Sequence, residues 1–109
     1  MDDIIVKISS DYTKSPGGRF SNEGKYSGED FRNTILKLKY EESLNLDCKL
    51  IVNLDGGFGY APSFLEEAFG GLVRELKDIR IKDIQIISEE EPKLIEDIKK
   101  YITEALEDR

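Results

Sequence analysis

The 109-residue chain contains no histidine and only one cysteine, and it has no long hydrophobic run. The absence of histidine removes the commonest general base, the usual base of a serine or cysteine triad, and the commonest metal ligand. No apolar stretch approaches the roughly 20 residues that span a bilayer, and the acidic start at residues 1–3 is unlike a secretory signal. These features predict a cytoplasmic protein with no membrane span, metal site or cofactor. They also disfavour an enzyme with its own catalytic machinery.

The charged residues are mostly of one sign. The chain has 23 acidic and 16 basic residues, which gives a formal net charge of -7. This charge repels the phosphate backbone of nucleic acids and anionic membrane surfaces, so we expect a protein partner instead. Hydrophobic residues still make up 39% of the chain and are spread along it, as is typical of a folded protein. At this length we expect a single domain over residues 1–109.

Three segments have the length and composition of β-strands. Residues 3–9, 48–54 and 83–88 are rich in aliphatic side chains and are bounded by polar or glycine-containing segments. The middle segment shows little alternation of apolar and polar residues, which is typical of a central strand covered on both faces. Its cysteine, Cys48, is therefore expected in the core.

A helical pattern follows each predicted strand. The first helix begins at Ser27, whose side chain can cap it, and its apolar residues form two stripes on different sides. That helix either changes phase near residues 36–38, through a bulge or kink, or is covered on two sides. The last helix begins near Pro92. Because strands and helices alternate, we expect an α/β fold with a small, mainly parallel or mixed sheet and about three helices.

The second helix has the fullest amphipathic pattern in the chain. Gly70 and Gly71 lie inside it, and each costs about 1 kcal/mol relative to alanine, which indicates close packing or a local weakness. The strands and this helix together supply the expected core: Ile5 or Val6, Ile51, Val52, Leu65, Phe69, Leu72 and Ile86. The last helix is expected to contribute Ile95, Ile98, Ile102 and Leu106.

A glycine-rich turn, residues 55–59, joins the middle strand to the second helix. Backbone N–H groups in such a turn can hold an anion, but the spacing matches neither a P-loop nor a dinucleotide fingerprint, so a tight turn is favoured. Arg19, which follows two glycines, either clamps a carboxylate or phosphate or forms an internal ion pair. Ser63 and Glu66 have the spacing of a capping box at the start of the second helix.

Residues 17–75 resemble the STAS-like domain family of unknown function, which is related in fold to anti-sigma-factor antagonist (STAS) domains. The resemblance rests on these motifs: Gly18-Arg19, Ser27-Gly28-Glu29-Asp30-Phe31-Arg32, Leu54-Asp55-Gly56 and the run from Ser63 to Leu72. It implies a STAS-like fold. In antagonist domains a kinase of the histidine-kinase-like ATPase type phosphorylates a serine at the start of the helix after the corresponding strand, and this controls the choice of partner. By position, the resemblance assigns that role to Ser63.

These observations favour a regulatory protein-interaction module, of the partner-switching type that the resemblance implies. Its candidate contacts with a partner or an anion are Arg19, Asp55, Gly56, Gly57, Tyr60 and Glu66. Ser63 is the candidate phosphosite or helix cap. The alternative is a small nucleotide- or phosphate-binding protein or enzyme that uses the glycine-rich turn and Arg19. A structural subunit of a larger assembly is a third interpretation.

Overall fold

The computed structural model describes residues 2–108 and contains a three-stranded parallel sheet. The strands are β1 (Ile4–Lys7), β2 (Leu50–Asn53) and β3 (Gln85–Ile87). They lie in the order β1-β2-β3, and both neighbouring pairs are parallel. The prediction of an α/β fold with a parallel sheet is therefore confirmed.

Four helices accompany the sheet within the described residues. α1 (Ile8–Asp11) follows β1 directly, and α4 (Lys93–Glu107) follows β3. The continuous helix α2 (residues 28–45) consists of Gly28–Phe31, Arg32–Leu36 and Lys37–Asn45, and α3 (residues 62–76) consists of Pro62–Leu65, Glu66–Gly70 and Gly71–Leu76. Short 3-10 turns lie at Ser21–Glu23 and Ile79–Asp83. None of these helices is long and apolar enough to cross a membrane.

A π-helical segment explains the two apolar stripes of α2. It spans Arg32–Leu36. One extra residue in a helical turn rotates the residues after it by about 100° relative to those before it. Phe31 from one stripe and Leu36 and Tyr40 from the other are therefore all buried. Of the two alternatives for this helix, the change of phase through a bulge is confirmed.

The helices cover only one face of the sheet. Val6 and Val52 lie in the core, and their neighbour Ile86 is partly buried against it. On the opposite face Ile5 is 63% exposed, and Ile51 is only half-buried. Two right-handed crossovers between strands in the order β1-β2-β3 run on the same side of the sheet, which leaves the other side open. The expectation that the middle strand is covered on both faces, with Ile51 in the core, is therefore wrong.

The core on the covered face contains the predicted residues of α3. Leu65, Phe69 and Leu72 are all fully or almost fully buried. In α4 the buried residues are Leu94, Ile98, Ile102 and Ala105. Ile95 and Leu106, which were also predicted there, are only half-buried, because Leu94 and Ala105 take the positions that face the core.

Two features at the ends of strands differ from expectation: the last residue of β1 and the residue before β2. β1 ends at Lys7, because α1 begins at Ile8 and the Asp11 carboxylate accepts a hydrogen bond from the Lys7 N–H at 2.7 Å. Cys48 lies before β2 and is half-buried, so the prediction of a core thiol is wrong.

Candidate functional site

One residue, Asp55, links the carboxyl ends of the three strands. Its carboxylate accepts hydrogen bonds from the N–H groups of Glu89 and Glu90, after β3, at 3.2 and 3.0 Å. Its carbonyl oxygen accepts one from the Ser9 hydroxyl, after β1, at 3.0 Å. This edge of a parallel sheet is where ligands usually bind. Here the polar groups of Asp55 hold the chain itself together.

Gly56 completes this junction. Its φ of 92° lies in a region that other residues rarely adopt, and a Cβ at this position would lie 2.8 Å from the Ser9 Oγ. The Gly56 N–H donates to the Glu90 Oε1 at 2.7 Å. A carboxylate of the chain therefore occupies the place where the turn would hold an anion. This contact favours the tight-turn interpretation over a phosphate site.

The rest of the glycine-rich turn displays an aromatic side chain. Phe58 is 81% exposed, although its N–H donates to the Lys14 carbonyl oxygen at 2.8 Å. A Cβ at Gly57 would lie 3.3 Å from the same carbonyl oxygen. The Tyr60 hydroxyl donates to the Leu54 carbonyl oxygen at 2.9 Å, and burial raises the pKa of Tyr60 to about 12. The turn is thus held on both sides of an exposed phenylalanine.

Ser63 is not the cap of α3. The helix begins at Pro62 with Ala61 as its N-cap, and no side chain caps it. Ser63 is the second residue of the helix and is half-buried. The predicted capping box of Ser63 and Glu66 is therefore wrong. Proline starts the helix two residues earlier than a cap at Ser63 predicts, because its fixed φ and missing N–H suit the first helical position.

Arg19 forms an internal ion pair with α3. Its Nη1 lies 2.5 Å from the Glu66 Oε1 and 3.3 Å from the Glu67 Oε1. Glu66 Oε2 also lies 2.7 Å from the Arg74 Nη1. Hydrogen bonds from Arg74 and Arg19 hold the pKa of the Glu66 carboxyl below its usual value. Of the two interpretations of Arg19, the structure contains the internal ion pair.

A more deeply buried pair lies beside it. The Arg32 Nη1 donates to the Glu67 Oε2 at 2.6 Å and to the Glu67 carbonyl oxygen at 2.7 Å. The pair joins α2 to α3 at their π-helical segments. Gly71 faces the guanidinium so closely that a Cβ would overlap the Arg32 Nη1. Neither Arg32 nor Glu67 was predicted to form an ion pair. Gly71, four residues after Glu67 and on the same face of the helix, was a sign of close packing there.

The other motif residues lie in the same region. Ser27 caps α2 as predicted, since its Oγ accepts a hydrogen bond from the Asp30 N–H at 2.9 Å. Gly28 packs against the carbonyl oxygen of Phe64, where a Cβ would overlap it. These motifs therefore build the contact between α2 and α3.

The residues of the phosphate-binding alternative lie in two separate sets of contacts. Arg19 contacts α3, whereas Asp55 and Gly56 contact residues that follow β1 and β3. In residues 2–108 no group of three or more acidic or cysteine side chains could hold a metal ion.

The order of elements and the α2–α3 contact define a small α/β module with a parallel sheet. A family model described as a STAS-like domain of unknown function (DUF4325) matches residues 27–94, from the cap of α2 to the start of α4. The chain belongs to this family. Comparison with curated proteins and with solved structures gave no match.

Proposed function

We propose that the domain is a regulatory protein-interaction module that binds a cytoplasmic protein through the loop surface, defined as residues 56–63. The observation that carries the proposal is the exposed Phe58 ring on a turn whose backbone is held in place. Large aromatic side chains dominate the binding energy of protein interfaces. A turn that is already fixed loses little entropy on binding, so more of the contact energy appears as affinity.

Acidic side chains lie along one side of the loop surface and indicate the chemistry of the partner. Glu89, Glu90 and Glu91 are all exposed. Glu90 and Glu91 line a shallow cavity of about 150 Å³ together with Phe58 and Tyr60. The complementary partner surface has an apolar pocket for the phenylalanine ring and a basic rim.

A phosphorylation switch at Ser63 is the finer part of the proposal. The family's relation in fold to antagonist domains and the position of Ser63 at the start of α3 support it. A phosphate adds about -1.5 to -2 charges, and the positive end of the helix dipole favours that charge. The fold should tolerate the group, while the basic rim of a partner would bind differently. In this proposal a histidine-kinase-like ATPase is the partner that adds the phosphate.

Quantitative capture from cells compares the immobilised wild-type chain with Phe58→Ser and Leu38→Ser. Leu38 is 57% exposed on α2, so its replacement is a matched control for the loss of an exposed apolar side chain. The wild type and Leu38→Ser should capture equal amounts of the partner. Phe58→Ser should capture about tenfold less of it, or even less. Equal retention by Phe58→Ser would show that the loop surface is not the interface.

The switch is tested separately with the partner so identified. Mass spectrometry of the native chain should find phosphate on Ser63. Ser63→Asp should change binding by about tenfold or more, and Ser63→Ala should leave binding unchanged. If both variants bind as the wild type does, the proposed switch is wrong, and the proposal that the loop surface binds the partner is unaffected.

A further inference from the structure

We propose that the free edge of β3 binds an extended, acidic peptide segment of a partner as a fourth strand. This edge site uses different residues from the loop surface, so either proposal can fail without the other. Three observations carry it: an unpaired strand edge, an apolar groove beside that edge, and a local excess of positive charge.

The backbone of β3 is paired on one side only. The Ile87 carbonyl oxygen accepts a hydrogen bond from the Leu54 N–H at 2.8 Å, so the backbone groups of Ile87 face β2. Successive residues of a strand turn these groups to opposite edges, so those of Ile86 face outward. No strand within residues 2–108 pairs with this edge. At the other edge of the sheet, by contrast, the Lys7 N–H is already bound by Asp11.

A groove lies between this free edge and α4. Its first part has a volume of about 240 Å³ and is lined by Ile84 and Ile86 of the sheet side and by Ile102 of α4. A second part of about 350 Å³ continues along the edge to Ile95. An unpaired edge above an apolar groove between a strand and a helix is the arrangement in which peptides add as a strand. The backbone supplies affinity, and the groove selects alternate apolar side chains.

The charges along the groove identify the occupant. Lys82 and Lys99 are exposed there together with Asp83, so the groove has a local charge of +1 from two cations and one anion. The whole chain has a net charge of -7. A segment with glutamates on both sides of β-branched residues complements this site. A second copy of the chain would add the same net negative charge, which favours a foreign peptide as the occupant.

The probe is the peptide acetyl-Glu-Val-Ile-Val-Glu-amide, titrated at low salt into the full chain labelled with ¹⁵N. Chemical shifts should change at the amides of residues 84–88 and along the groove side of α4, and not at residues 56–63. Lys99→Glu should weaken binding by about fivefold, and the control Lys100→Glu, one position around the same helix, by less than about twofold. Equal effects of both variants, or shifts confined to other surfaces, would overturn the site.

Two N-methylated forms of the peptide test strand addition itself. In a bound strand only alternate N–H groups face β3. The first peptide carries an N-methyl group on the central isoleucine, and the second carries one on each valine. One of the two should therefore lose binding, and the other should keep it. An equal response of the two peptides would overturn strand addition. If the chain alone forms a concentration-dependent dimer through residues 84–88, the occupant is a second copy and the peptide proposal is wrong.

Discussion

Replacing Gly71 by alanine should destabilise the domain, although the residue lies inside a helix. In an ordinary helix interior this change stabilises by about 1 kcal/mol. At Gly71 the new Cβ would overlap the Arg32 guanidinium, which two hydrogen bonds hold on Glu67. Removing one partner of a buried ion pair costs about 3–5 kcal/mol. Because the Arg32 side chain is 12% exposed and can keep part of its contact, we expect a net loss of about 1–3 kcal/mol.

The neighbouring glycine supplies the control for this prediction. A Cβ at Gly70 would overlap the Glu66 Oε2 and lie close to the Arg74 Nη1. These side chains are 25% and 47% exposed, so both ends can shift toward solvent. Gly70→Ala should therefore be neutral or stabilise by up to about 1 kcal/mol. Urea denaturation followed by circular dichroism measures both variants. If Gly71→Ala is as stable as Gly70→Ala, the buried contact does not constrain this position and the reasoning is refuted.

Two further predictions concern the core and the pH dependence. Phe69→Ala should destabilise the domain by about 3–5 kcal/mol in urea denaturation, because Phe69 is completely buried; a loss below about 1 kcal/mol would contradict this packing. The lowered pKa of Glu66 contributes stability that is fully present above its ordinary pKa of 4.5 and is lost as the pH falls through the lower folded value. The stability difference between the wild type and Glu66→Gln should therefore stay constant from about pH 6 to 8 and shrink as the pH falls below 4.5.

The elements of the fold could be predicted because their signals are local. The two apolar stripes of α2 already indicated a change of helical phase near residues 36–38, and the structure shows the π-helical segment just before that point, at Arg32–Leu36. The number of covered sheet faces is not local, since it depends on the side on which both crossovers pass. Ile51 was therefore assigned to the core although it lies on the open face.

The site was harder to predict because its contacts join distant parts of the chain. Arg19 could be recognised as a charge needing a partner, but its partners Glu66 and Glu67 follow it by more than 40 residues. The prediction of a cap at Ser63 was wrong for a local reason. Pro62 strongly favours the first position of a helix, and this preference outweighed the capping-box spacing.

The family motif and the surfaces available to a partner are largely different residues. Arg32 and Glu67 bind each other between two helices, and Gly28 and Gly71 permit the close approach on which that contact depends. Changing such residues alters stability first, so in this chain they specify the fold. Recognition of a partner requires side chains or backbone groups that the fold leaves accessible, such as the Phe58 ring and the edge at Ile86. Under the two proposals, substitutions at Phe58 or along the edge at Ile86 should therefore alter binding with little change in stability, whereas substitutions at the α2–α3 contact should alter stability.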